Sequence, residues 1–262
     1  MVILDKLTHA CLIDAAHVSG AKMRVFPHND LGKLESHLLW ARRTHPRGRI
    51  LVVTESVFSM DGDVAPLQGI VELKERHGAW LLLDEAHAVG VLGSGAGGLA
   101  GQLGLADRIE IQMGTLGKAL GVSGGYIAGS RVLIDFLINR ARSFIFSTAS
   151  SPAVAAACRA ALHIVTSTEG DALRTRLRAN LLAFSSDMGM SSPASAIVPL
   201  ILGSEDRAVA ASGRLLEEGF LVPAIRYPTV PRKTARLRIT LSAAHEADQI
   251  RALANALKTL ES

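Results

Sequence analysis

Aromatic side chains are scarce in this sequence, at 4% of 262 residues, so any core must be aliphatic and alanine-rich. Cysteine is nearly absent. Cys11 and Cys158 stand far apart in apolar settings, which excludes a metal-binding spacing and a disulfide framework and points to a reducing cytoplasm. No apolar run is long enough to span a bilayer, so no membrane partner is expected. The first residues, MVILDKLTHACLIDAAH, carry charges where a secretion signal needs an apolar centre. No block of like charge occurs, and the formal charge is only +4. That reads as a solvated surface and excludes nucleic acid as a partner. With 48% hydrophobic and 20% charged residues, the chain is a globular protein, not a disordered one.

What is present is an alternation. Short apolar runs at 2–4, 23–26, 49–54, 79–83, 109–113 and 125–128 read as strands. Helical spacing separates several of them. Asp30 is placed to cap a helix carrying Leu31, Leu34, Leu38 and Leu39, and Pro66 opens another that stops before Gly78. Continuous apolar strands between helices predict an α/β fold with a mostly parallel sheet covered on both faces. From about residue 152 the texture becomes helical, at 152–165 and 170–184. A smaller α/β unit follows, with strands at 197–202, near 220–224 and at 237–241. Helices are expected at 206–217 and at the end, where Ile250, Leu253, Leu257 and Leu260 share one face. The predicted organisation is a large domain over 1–155, then a helical connection and small C-terminal domain over 156–262.

Two segments carry chemistry. Lys118 sits in a glycine-rich run, GTLGKALG, just after a strand. A buried lysine can lose its proton and attack an aldehyde to form a Schiff base. Asp84 closes the apolar run AWLLL, at the end of a buried strand where open α/β sheets bind ligands. There it could pair with a cofactor's ring nitrogen. His87 follows three residues later. Each residue alone has an ordinary structural reading: a loop lysine, a capping aspartate, a buried histidine.

Three strings combine them: VTESVFSMDGDVAPL (53–67), LLLDEAHAVGVLG (81–93) and GTLGKALGVSGGY (114–126). These strings resemble the α-oxoamine synthases, pyridoxal-phosphate (PLP) enzymes of the type I transferase fold. The tail, PAIRYPTVP (223–231) with TARLRITLSAAHE (234–246), looks most like the branch that joins L-alanine to a pimeloyl thioester in biotin synthesis. The resemblance runs along essentially the whole chain. It implies PLP as cofactor, Lys118 as the Schiff-base lysine and Asp84 as the partner of the ring nitrogen. His87 and Ser59 would lie near the ring's phenolic oxygen, His9 on the ring face and Thr115 at the phosphate. Arg226 would hold the amino-acid carboxylate. Ser147 and Thr148 would reach the phosphate of a second subunit, which implies a homodimer. The family chain begins well before Met1, so an N-terminally truncated member is expected, lacking the opening strands and the helix N-terminus that cradles the phosphate.

Other readings compete. A sister synthase would use glycine and another acyl donor, coenzyme A ester or carrier protein. A truncated homologue could be inert. A nicotinamide dehydrogenase is suggested by Gly93-Ser94-Gly95-Ala96-Gly97-Gly98. Those glycines, however, begin nine residues after Asp84, too far for the tight strand-to-helix turn that this fingerprint requires.

Overall fold

The computed structural model describes residues 1–261. The chain divides into two compact units. One comprises residues 1–58 and 64–170, and the other residues 59–63 and 171–262. The division falls after Gly170, inside the helical stretch, and five residues of an early loop belong to the later unit.

In the first unit the elements run in order. They are β1 (Val2–Asp5), α1 (Ala10–Val18), β2 (Met23–Phe26), α2 (Leu31–Thr44), β3 (Leu51–Glu55), α3 (Leu67–Arg76), β4 (Trp80–Asp84), α4 (Gly98–Gln102), β5 (Ile111–Thr115), β6 (Gly125–Gly129), α5 (Arg131–Arg140), α6 (Arg142–Ile145) and α7 (Pro152–Val165). The strands form one sheet in the order β2-β1-β3-β4-β5-β6. The first five are parallel and β6 is antiparallel to β5. The expected mostly parallel sheet is therefore a mixed one with a single antiparallel edge strand. Its middle is aliphatic: Ile3, Leu4, Val52, Leu81 and Leu83 have no exposed surface. Strands so buried must be covered on both faces, which is why they read as unbroken apolar runs.

Local signals set the helices. Asp30 accepts the Lys33 backbone N–H and caps α2. Leu34, Leu38 and Ala41, at helical spacing, form the buried face of α2, while Leu39 is exposed. α3 packs on α2 and on β4. By contrast α5, α6 and α7 bury none of their residues within this unit.

The second unit contains α8 (Thr168–Met188, its first turn still in the first unit), β7 (Ile197–Gly203), α9 (Glu205–Glu217), β8 (Ala224–Ile225), β9 (Ala235–Thr240) and α10 (Ala247–Glu261). β7, β9 and β8 form an antiparallel sheet in that order, with α9 against it and α10 on α9. The strand expected near 220–224 is a correction. Pro223 has no N–H to give a ladder, and only Ala224 and Ile225 pair.

The run SMDGD, residues 59–63, is held in this unit by the two arginines of β9. Arg236 Nη1 pairs with Asp61 at 2.6 Å and donates to the Met60 carbonyl, and Arg238 Nε donates to the Ser59 carbonyl. Ser195 Oγ donates to the Gly62 carbonyl. Gly62 has φ +68°, and a Cβ there would stand 2.2 Å from the Ile197 carbonyl oxygen, so only glycine fits. Among the described residues, no helix is long and apolar enough to cross a membrane, and no group of His, Cys, Asp and Glu could hold a metal ion.

Candidate functional site

The carboxyl edge of the parallel sheet is lined with acids. β1, β3 and β4 end in Asp5, Glu55 and Asp84, and all three are buried. The pattern follows from the strands. Each apolar run stops where the chain leaves the sheet, and a polar residue there faces the crevice in which such sheets bind ligands.

Asp5 is fully employed in structure. It accepts the Leu7 and Asn29 backbone N–H groups, each at 2.8 Å, and pairs with His28 Nδ1 at 3.0 Å. It thereby ties the end of β1 to the turn after β2, where His28 meets Phe58 edge to face.

Asp84 is different. Its Oδ1 accepts the Ala86 N–H at 2.8 Å. Burial raises its carboxyl above the usual carboxylate range, against the Ala86 N–H and the positive charges of Lys118 and His9. Its backbone carbonyl takes both the N–H and the hydroxyl of Ser56, which locks the ends of β3 and β4 in register.

Lys118 lies in the turn after β5. That turn is organised by Thr115, whose Oγ1 accepts the Gly117 N–H and donates to the Gly124 carbonyl. Thr115 thus supports the lysine loop directly, a role in addition to the phosphate contact expected of it. Lys118 is exposed, not buried, so its own unit does not supply the desolvation that the sequence argument invoked. It nonetheless acts electrostatically on both Asp84 and Glu55.

His9 is the N-cap of α1, where its Nδ1 accepts the Cys11 N–H. Cys11 Sγ lies 3.0 Å from the same nitrogen. Burial raises the Cys11 thiol, and the charges of Asp84 and Glu55 raise it further, which places the head of α1 beside those acids. His87 is half-buried in the turn after β4. Lys118 and His9 therefore both act on Asp84 at one edge of one sheet.

The remaining residues fall elsewhere. Ser147 and Thr148 are exposed on the segment between α6 and α7, where the Ser147 hydroxyl donates to the Ser143 carbonyl. Ser59 and Arg226 belong to the second unit. Arg226 is exposed after β8 and opens a turn in which its carbonyl accepts the Thr229 N–H.

Two residues with a clear place here were not singled out from the sequence. Glu55 is one. Burial, then the neighbouring Asp84, push its carboxyl up to about 8, with the His9 backbone N–H and Lys118 acting the other way. Its signal was available: an acid ending an apolar strand, as in Asp84. Glu85 is the other. Its carboxylate accepts the Leu99 and Ala100 N–H groups at the head of α4, at 3.0 and 2.8 Å. Gly98 has φ +60°, and a Cβ on it would lie 2.5 Å from Glu85 Oε2. Gly98, the last of the glycine run 93–98, therefore packs on one of the protein's own carboxylates, and the run does not form the strand-to-helix turn that a dinucleotide fingerprint needs.

The family model for aminotransferase class I and II matches residues 1–257. The chain belongs to that family. Among curated relatives, the 8-amino-7-oxononanoate synthase of Geobacter sulfurreducens is 49% identical over 260 residues, covering 97% of this chain and 66% of its own length. That of Maricaulis maris is 47% identical over 261 residues, covering 99% of this chain and 65% of its own length. This family member thus spans slightly less than two thirds of those relatives.

Solved structures agree in fold. A serine palmitoyltransferase from S. paucimobilis with bound PLP–myriocin aldimine superposes with a TM-score of 0.93 at 29% identity, covering 99% of this chain and 66% of that one. An 8-amino-7-oxononanoate synthase from Francisella tularensis gives a TM-score of 0.80 at 28% identity, covering 99% and 73%. The fold is that of the PLP-dependent type I transferases, as the sequence implied.

Proposed function

We propose that this chain carries the catalytic lysine and the ring-binding carboxylate of a PLP-dependent acyltransferase. That enzyme condenses L-alanine with a pimeloyl thioester in biotin synthesis. Alanine and thioester give 8-amino-7-oxononanoate, carbon dioxide and the free thiol. The observation that carries the reading is the buried Asp84 at the end of β4 with Lys118 acting on it from the turn after β5. The identity to synthases of that name supports the choice of substrates.

The residues fit the cofactor. When bound, PLP supplies an aldehyde carbon for amines and a protonated ring that withdraws electrons. Asp84 is a buried carboxylate with a backbone N–H on Oδ1, which suits a ring nitrogen that must stay protonated. Lys118 is a primary amine on a loop held by Thr115. Its Nζ would be the covalent anchor for the cofactor aldehyde and the base that takes the α-proton of alanine. His9, fixed as the cap of α1, would cover the ring face, His87 would hold the phenolic oxygen, and Thr115 would hold the phosphate. Ser59 and Arg226 are assigned on the matching motifs alone: Ser59 to the phenolic oxygen, Arg226 to the alanine carboxylate through its planar fork.

We further propose a homodimer to which Ser147 and Thr148 contribute. Its support is the apolar surface of α5, α6 and the residue after them, where Val132 is 81% exposed and Phe146 70%. The compartment is the reducing cytoplasm, in keeping with the free thiols of Cys11 and Cys158.

The test is release of free thiol from pimeloyl-coenzyme A by the PLP-loaded chain, with L-alanine or glycine as amino acid. Alanine-dependent release that Lys118→Ala abolishes is the expected result. Release with glycine alone would move the chain to a sister activity.

A further inference from the structure

Glu55 has no part in the mechanism above, and its one backbone donor is the His9 N–H. It is the Cα partner of Asp84 in the register of β3 and β4, so both side chains leave the same face of the sheet at the same level. Its relative exposure is 2% and that of Asp84 is 3%. Glu55 Oε1 is buried without a hydrogen-bond partner.

We propose that Glu55 bears the proton of a buried carboxyl pair with Asp84, and that as a neutral acid it is a positioning residue keeping Asp84 the single anion at this edge.

Two carboxylates side by side in a dry setting do not both ionise near neutral pH, because each penalises the other and neither is hydrated. The groups around Glu55 are known from each neighbouring element. Asp84 comes from β4, Asp5 from the end of β1, the His9 N–H and the Cys11 thiol from the head of α1, and Lys118 from the turn after β5. Asp84 keeps its charge more cheaply, since it accepts the Ala86 N–H and has both Lys118 and His9 for counter-charge. Glu55 has Lys118 and one N–H against two acids, and one of its oxygens is orphaned. The folded-state value of about 8 agrees with this assignment.

A neutral Glu55 leaves one negative charge for a ring nitrogen. An ionised Glu55 would add a second that nothing described here balances. The proton assignment concerns the chain alone. Its consequence for cofactor binding rests on the role proposed for Asp84.

The sign of the test is fixed by linkage. Glu55 binds its proton more tightly folded than unfolded, so its contribution to stability is lost as pH rises toward about 8. Trp40 and Trp80, the only tryptophans, both lie in the first unit, so their fluorescence in a denaturant series reports on that unit. Between pH 5.5 and 7.5 the ratio of wild-type to Glu55→Gln unfolding constants is expected to rise about tenfold per pH unit, then level off above pH 8.5. Parallel profiles would overturn the proposal.

Should Glu55→Gln not fold, wild type alone decides. An infrared carboxylic-acid carbonyl band present at pH 6.5 and gone at pH 9.5 is expected, its loss moving to lower pH in Asp84→Asn. Absence of any such band at pH 6.5 refutes the assignment. With PLP present, weakening of binding above pH 8 in wild type but not in Glu55→Gln supports the link to Asp84, and equal pH dependence refutes it. A chain that fails to bind PLP leaves the proton measurements intact and counts against the proposed function only.

Discussion

At the scale of single residues, the buried acids divide into those that hold the fold and those placed for chemistry. Asp5 and Glu85 are buried acids whose oxygens are taken up by backbone N–H groups. Asp84 and Glu55 accept fewer such bonds, and burial lifts both, as it does Glu85, above the usual carboxylate range. This sorts Asp84→Asn from Gly98→Ala. Asp84→Asn removes a buried charge with no loss of packing, so the chain should unfold at the same or higher denaturant concentration. It should also lose the ion pair to a bound ring nitrogen, worth about 3–5 kcal/mol when a buried pair is broken. That corresponds to a fall in kcat/KM on the order of 10²–10⁴-fold. Gly98→Ala places a Cβ within 2.5 Å of the Glu85 carboxylate at a φ of +60°, and should cost about 1–3 kcal/mol in denaturant unfolding. Lys118 and Asp84 were legible in the sequence because each interrupts an apolar or glycine-rich pattern. Glu55 carries the same strand-end signal, but its partner lies 29 residues away, so the pairing could not be read from the local pattern.

At the scale of elements, local rules were enough where the signal was local. α1, β2 and α7 begin and end where the periodicity put them, because a cap, a proline or a charged flank marks each boundary. β5 starts two residues later than the apolar run 109–113, since residues 106–108 form a 3₁₀ turn that carries Ile109 into the core instead. The capture of residues 59–63 by the second unit could not be read, because its bonds join positions more than 170 apart in sequence. Those bonds make a prediction. Arg236 is only 4% exposed, and Arg236→Met leaves Asp61 and the Met60 carbonyl without their donor. Loss of a charged hydrogen bond of this kind costs about 1.5–3 kcal/mol. It should appear as earlier unfolding of the second unit, with the tryptophan transition of the first unchanged.

At the scale of the whole molecule, the chain is two units of one PLP-transferase fold, and its unused surface is as telling as its core. Phe136, Phe144 and Phe146 are exposed among a very small complement of aromatics. Apolar surface of that kind on α5, α6 and the segment after them favours self-association. Replacing Phe144 and Phe146 together by Asp should shift sedimentation from dimer to monomer, while leaving the tryptophan unfolding transition in place.

The central claim is that Lys118 and Asp84 form a PLP site on this chain. The most direct measurement is the visible absorption spectrum of the purified chain after PLP addition and desalting, with Lys118→Ala alongside. An absorption band that survives desalting, shifts on addition of L-alanine and is missing from Lys118→Ala is the predicted result. No retained band, or the same band in Lys118→Ala, would contradict the account.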